Sequence, residues 1–202
     1  MKPFCFLSVL LLGALLFSGE SESKECRYQI RDESIKITWT GYKFNEKAPV
    51  SGTFRKTHLE QNKMSGSIPD LFRSVRFRLD TISLDSGLSE RDKKLILFLF
   101  GSAVSPAGIT GQIRDFDMKQ KTANVSITMN GRSADVRFAV TEQSDRYTFR
   151  SEIDLLRQFA MDAQLSALHE ACKQLHTGAD GVSRTWPLVG LEVQAELLKS
   201  GC

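Results

Sequence analysis

The chain carries no Gly-x-Ser-x-Gly nucleophile elbow, no glycine-rich phosphate loop and only three histidines among its 202 residues. A nucleophile with a base and an orienting acid is not recognisable, so no enzymatic reaction is assigned. Charge of one sign is lacking too: 27 Lys and Arg are scattered among 24 Asp and Glu, for a formal charge of +3. Nucleic-acid binding needs a basic stripe that neutralises phosphates, and none is present. The longest apolar run, Phe4 to Phe17, is shorter than the roughly 20 residues of a transmembrane helix.

That run has the layout of a secretory signal. Lys2 precedes it, and Ser18, Gly19, Ser21 and Ser23 follow with the small residues of a cleavage site. Residues 1–21 are therefore read as a signal peptide, and residues 22–202 as one soluble domain exported to the periplasm. Ser23, Lys24 and Glu25 precede Cys26 in place of small and aliphatic residues, so lipid attachment there is not expected. With 41% hydrophobic and 25% charged residues the chain suits one globular domain with a sizeable core. Cysteine is scarce, and losing Cys5 with the signal leaves an odd set of Cys26, Cys172 and Cys202. One intramolecular bridge at most can form in an oxidising compartment. The remaining thiol leaves a homodimer open without arguing for it.

What is abundant is alternation of apolar and polar residues. Ile35, Ile37 and Trp39 alternate with Lys36, Thr38 and Thr40, the period of a strand with one wet face. Val50 to Phe54 reads as the next strand, and Val75, Phe77 and Leu79 continue among Arg73, Arg76 and Arg78. Ile109 to Ile113 and Val125 to Met129 follow, the latter ending at Asn130-Gly131, which suits the two positive-φ positions of a type I′ hairpin turn. Ala134 to Val140, Tyr147 to Ser151 and finally Leu191 to Ala195 resume the alternation. Two stretches break this period: a short helix is expected across Ser89–Phe98, and Leu165, Leu168, Cys172 and Leu175 recur at helical spacing from Asp162 to His176. The chain is thus mainly β, with about eight strands and one amphipathic helix inserted before the last strand.

Four stretches resemble the YceI family across Tyr28 to Leu197. They are Ile37 to Lys43 leading to Val50 to Phe54; Ser83 to Gly87 with Glu90, Arg91 and Asp92; Met129 to Gly131; and Leu175-His176 with Asp180-Gly181 through Thr185-Trp186. The resemblance implies an extended antiparallel lipocalin-like β-barrel whose interior holds a long apolar lipid, a polyisoprenoid or a quinone-like tail. It implies no cofactor, and the Asp162–His176 helix departs from the simplest family pattern.

If the barrel is hollow, the inward residues Trp39, Phe54, Phe77, Ile113, Ile127, Phe138, Phe149 and Val193 line its cavity and form the binding surface. The same residues equally suit a filled core, which every small barrel needs in order to fold. That alternative goes with a structural or stress-related periplasmic protein acting through a protein partner. His169, Cys172 and His176 share one helix face, yet a fourth metal ligand is not evident and ordinary helix packing explains them equally well. Arg91 and Asp92 suit either a cavity mouth that meets a polar head group or plain solvent. Cys26 precedes the first strand and Cys202 follows the last; in an up-and-down barrel with an even strand count those ends are neighbours, so a Cys26–Cys202 disulfide is expected.

Overall fold

The computed structural model describes residues 25–101 and 108–202; the signal segment assigned to residues 1–21 lies outside them. In chain order the elements begin with β1 (Arg27–Ile30), β2 (Lys36–Lys43), β3 (Ala48–Phe54), β4 (Thr57–Gln61), α1 (Ile68–Ser74), β5 (Arg76–Leu79) and β6 (Leu84–Asp85). A helix α2 (Ser89–Lys94) runs on into a π-helical turn, Leu95–Phe100. The hairpin series β7 (Ile109–Asp117), β8 (Thr122–Met129), β9 (Arg132–Gln143) and β10 (Arg146–Asp154) follows. Two helices, α3 (Leu155–Phe159) and α4 (Asp162–Cys172), precede β11 (Leu188–Ser200).

All eleven strands belong to one antiparallel sheet in the order β4-β5-β7-β8-β9-β10-β11-β2-β3-β6, with β1 added to the end of β11. The first strand of that path and the last but one are consecutive in sequence, separated by Arg55 and Lys56 alone. The sheet must therefore curl until its two edges meet. Hydrogen bonds carry the pairing through the bend: Arg55 N–H donates to the Ser83 carbonyl, Lys56 N–H to Ser83 Oγ and Asp80 N–H to the Lys56 carbonyl. Thus β3–β4 is one bent stave and β5–β6 another. With β1 standing outside the ring, eight staves remain, the number read from the sequence.

Local chemistry accounts for the turns. Asn130 and Gly131 take φ of 52° and 70° between the paired Met129 and Arg132, as a type I′ turn requires. The Asn130 side-chain amide donates to the Phe159 and Ala160 carbonyls, tying this hairpin to α3. Where two helices were expected, across Ser89–Phe98 and Asp162–His176, there are four α-helices among the described residues. Of these, α1 was not foreseen, because its seven residues are too few to establish a helical period. Ser67 Oγ accepts the Asp70 N–H at its start, and Pro69 occupies the first turn, where no N–H is needed. Its Phe72 is almost fully buried, stacked on Phe116 at 4.5 Å and edge-on to Tyr147 and Phe149. That ring forms the floor of the barrel. The expected Asp162–His176 helix ends at Cys172 and tightens into a 3₁₀ turn over Lys173–His176. The tighter winding turns Leu175 off the apolar stripe, and it is exposed instead of packed.

Two aromatic residues rest on glycines of neighbouring strands. Trp39 pairs with Gly52 and Phe77 with Gly111. A Cβ at Gly52 would lie 2.4 Å from Trp39 Cζ2, and one at Gly111 only 2.2 Å from Phe77 Cζ. The missing side chains make room for the rings. Gly41, by contrast, has open space beside it.

Cys26 and Cys202 are disulfide-bonded, and among the described residues Cys172 is left as an unbridged, buried thiol. The expected pairing is present for a local reason: β1 pairs with the end of β11, Arg27 opposite Ser200, which sets the two termini side by side.

Gly52→Ala is expected to destabilise the protein by about 1–3 kcal/mol through overpacking, read as a lowered urea midpoint, whereas Gly41→Ala stays close to the parent. Cys202→Ser is expected to cost about 2–5 kcal/mol, the usual range for a lost native disulfide. Non-reducing peptide mapping checks the pairing, and finding Cys172 in a bridge would contradict it.

Candidate functional site

The barrel interior is not full. An inner cavity of about 170 Å³ is walled by apolar side chains from the strands, from Phe72 and Val75 at the floor, and from Leu99 and Phe100 of the π-helical turn. Thr57 is the one hydroxyl residue in the wall. All eight residues assigned to a cavity from their alternation, Trp39, Phe54, Phe77, Ile113, Ile127, Phe138, Phe149 and Val193, lie in it.

Register explains why they meet. Ile37 is opposite Val193, Val193 opposite Phe149 and Phe149 opposite Val140, so one row of apolar residues crosses β2, β11, β10 and β9. A second row runs from Phe77 through Gly111 to Ile127 and Ala134 across β5, β7, β8 and β9. Directly opposed residues share a sheet face, and here that face is the inner one. The helical contributors Phe72, Leu99 and Phe100 were missed because alternation marks only strand residues. Phe100 closes against Phe54 with ring centroids 6.4 Å apart.

An outer cavity of about 430 Å³ adjoins the inner one. Trp39, Leu99, Leu155 and Val189 line both and mark the boundary, or neck, between them. The Trp39 indole N–H is buried and, among the described residues, has no hydrogen-bond partner. Beyond the neck the wall turns polar, with Tyr42, Lys43, Glu90, Arg91, Lys94, His176 and Thr185 among Leu88, Leu165, Leu168, Cys172 and Trp186. This is the mouth. The pair Arg91–Asp92 is divided by the structure. Arg91 lines the mouth, while Asp92 accepts hydrogen bonds from the Ser86 N–H and hydroxyl and fixes the turn before α2.

His169 and His176 both direct Nδ1 to Thr185 Oγ1, at 3.3 and 2.7 Å. Cys172 lies beside them in the mouth. Among the described residues no group of His, Cys, Asp or Glu is placed to hold a metal ion. The charge nearby opposes one as well. Burial, helped by Lys43, His169 and Lys94, pushes His176 down to about 4. Burial raises the Cys172 thiol, with Lys94 and Lys43 acting against it. Trp186, stacked under Lys47 and Arg184, donates its indole N–H to the Phe44 carbonyl at 2.7 Å and holds the rim of β2.

The fold has known counterparts. A polyisoprenoid binding domain from Saccharophagus degradans, implicated in plant cell wall breakdown, superposes with a TM-score of 0.58 over 84% of this chain and 97% of its own, at 11% identity. Burkholderia cenocepacia BcnA superposes at 0.54 over 84% of this chain and 99% of its own, at 15% identity. The fold of this chain is that of these two proteins, a curled, lipocalin-like antiparallel sheet. No family model and no curated protein matches the sequence. Among the described residues no helix is long and apolar enough to cross a membrane.

The neutral, buried state of His176 carries a pH signature. An unfolded histidine takes up its proton near pH 6.5, but this one does so only near 4 in the folded protein. The folded state is therefore favoured fully above pH 6.5, and that contribution is lost as pH falls from 6.5 towards 4. Melting temperatures across this window are expected to drop more steeply for the parent than for His176→Gln; parallel curves would contradict the assignment.

Proposed function

We propose that this protein binds a long apolar lipid of the polyisoprenoid or quinone-like class inside its barrel, and stores or carries it in the periplasm after export. The observation that carries this reading is the apolar inner cavity with a larger, more polar mouth adjoining it at Trp39, Leu99, Leu155 and Val189. A void of its size left in a close-packed core would cost on the order of 4 kcal/mol, at about 24 cal/mol per Å³. Natural cores seldom keep such voids empty. An engineered cavity of ~150 Å³ lined by similar side chains stays dry and takes up benzene, so this one suits a hydrocarbon segment better than water. Each isoprene unit buried gains about 25 cal/mol per Å² of apolar surface removed from water, with no hydrogen bond required.

One structural neighbour is a polyisoprenoid binding domain, which supports the same ligand class. The apolar stretch Phe4–Phe17 behind Lys2 supports export. We read the role as binding: among the described residues the mouth brings two histidines to Thr185, an arrangement that suits holding a wall in place.

A second reading, action through a protein partner, draws on the exposed side chains Ile82, Leu88 and Leu97, which flank the helical side of the mouth. The two readings diverge in one experiment. Native mass spectrometry of the protein purified from its own host, followed by organic extraction, is expected to yield one isoprenoid or quinone-like lipid per chain. A clean apo mass would overturn the lipid reading and favour the partner.

A further inference from the structure

The helical cap beside the mouth is apolar on both of its sides. After the charged helix α2, the π-helical turn Leu95–Phe100 reads Leu-Ile-Leu-Phe-Leu-Phe, and none of its six residues is fully buried. A helical segment that is hydrophobic all round belongs in a core, yet this one lies at the surface. Its inner side is accounted for: Leu95 lines the mouth, Phe100 the inner cavity and Leu99 both. Its outer side is not. Leu97 is exposed there, as are Leu88 just before α2 and Ile82 in the neighbouring 3₁₀ turn Thr81–Ser83. From the other end of the wall, Leu175 lines the mouth and is likewise exposed.

Charge around this rim is of both signs, with cations in excess. Lys43, Arg91 and Lys94 face the mouth, Lys93 stands beside them on α2, and Lys47 and Arg184 stack on Trp186. Fewer carboxylates stand against them. Glu90 is bound by Lys93 and also feels Lys94, Asp92 accepts from Ser86, Asp180 accepts from the Asn45 amide, and Glu46 lies in the turn between β2 and β3. Lys173 and Glu170 pair with each other. We propose that this rim docks on the surface of an anionic bilayer, with Ile82, Leu88 and Leu97 at the depth of the headgroups and the cations against lipid phosphates. Exposed leucines beside Lys and Arg are the composition of an interfacial anchor, and a surplus of cations is drawn to an anionic leaflet. A partner protein would need an apolar groove with acidic neighbours to match this rim, whereas a bilayer supplies apolar depth and phosphate charge at once. Docking sets the mouth, and behind it the apolar interior, against the membrane. The inference goes beyond the lipid-binding reading and stands without it, because docking uses only the outer surface of the cap.

The test is vesicle flotation. Full-length mature protein is floated with vesicles of phosphatidylcholine alone and of an equal mixture of phosphatidylcholine and phosphatidylglycerol. Partitioning onto the mixture is expected to be at least about fivefold stronger than onto phosphatidylcholine alone, and that advantage should shrink as salt is added. In the double variant Ile82→Glu, Leu97→Glu, neither position of which lines a cavity, partitioning is expected to fall at least about tenfold, the effect of keeping a leucine out of an apolar phase. Circular dichroism melting confirms that the variant folds. No flotation with the mixture, equal flotation with both vesicles, or flotation that the variant leaves unchanged overturns the inference and returns these side chains to the protein-partner reading. A parent dimer that the variant splits in sedimentation overturns it as well, by giving the face to a second copy of the chain. Native mass spectrometry of the same protein reports cavity occupancy separately, so a failure of docking leaves lipid binding standing and an empty cavity leaves docking standing.

Discussion

A sheet whose far edges are joined by two residues has no freedom to lie flat. The chain leaves β3 paired to β2 at one edge and, after Arg55 and Lys56, enters β4 paired to β5 at the other. Every strand between them must tilt and curl to accommodate that link, and the right-handed twist of sheets already favours the curl. Once the edges meet, one face of each strand has nowhere to point but inward. Ring size does the rest: eight staves enclose slightly more space than their inward side chains fill, so a cavity is the natural product of closure.

The shape of that space is set by large rings supported from behind. Trp39 and Phe77 lie on the bare backbones of Gly52 and Gly111, which keeps their bulk near the wall and out of the centre. Phe72, delivered by α1, fills the floor, and Phe54 with Phe100 closes the side by the π-helical turn. The mouth is held by different forces. Thr185 gathers two histidines, Trp186 anchors the rim by its indole N–H, and Lys94 reaches across to the last turn of α4. Apolar packing inside and directional polar contacts outside divide the molecule into an apolar interior and a polar entrance. The surface ion pairs, such as Arg150–Glu192 and Arg146–Glu196 across β10 and β11, are solvent-screened and contribute little beyond register.

Much of this was legible along the chain because strand alternation is a local signal. Each inward residue is two positions from the next, so Trp39, Phe138 or Val193 announces its face without knowledge of its neighbours. The Asn130-Gly131 turn is legible for the same reason: only residues tolerant of positive φ suit both of its central positions. Elements with no repeat were not readable in this way. The strands β1 and β4 and the helix α1 are each shorter than the stretch over which a period declares itself. Leu175 misled because its spacing fits a helix that in fact tightens before reaching it.

By itself the sequence determined which residues face inward, how many staves the ring has and where one hairpin turns; all of these depend on bonded neighbours or simple counting. Only the tertiary structure decided whether the interior is full or hollow, since that is a matter of volumes summed over strands far apart in the chain. It alone brought Lys43 into one space with Arg91 and Lys94, some fifty residues away. Long-range electrostatics and packing have no period, and a chain that is read one residue at a time cannot display them.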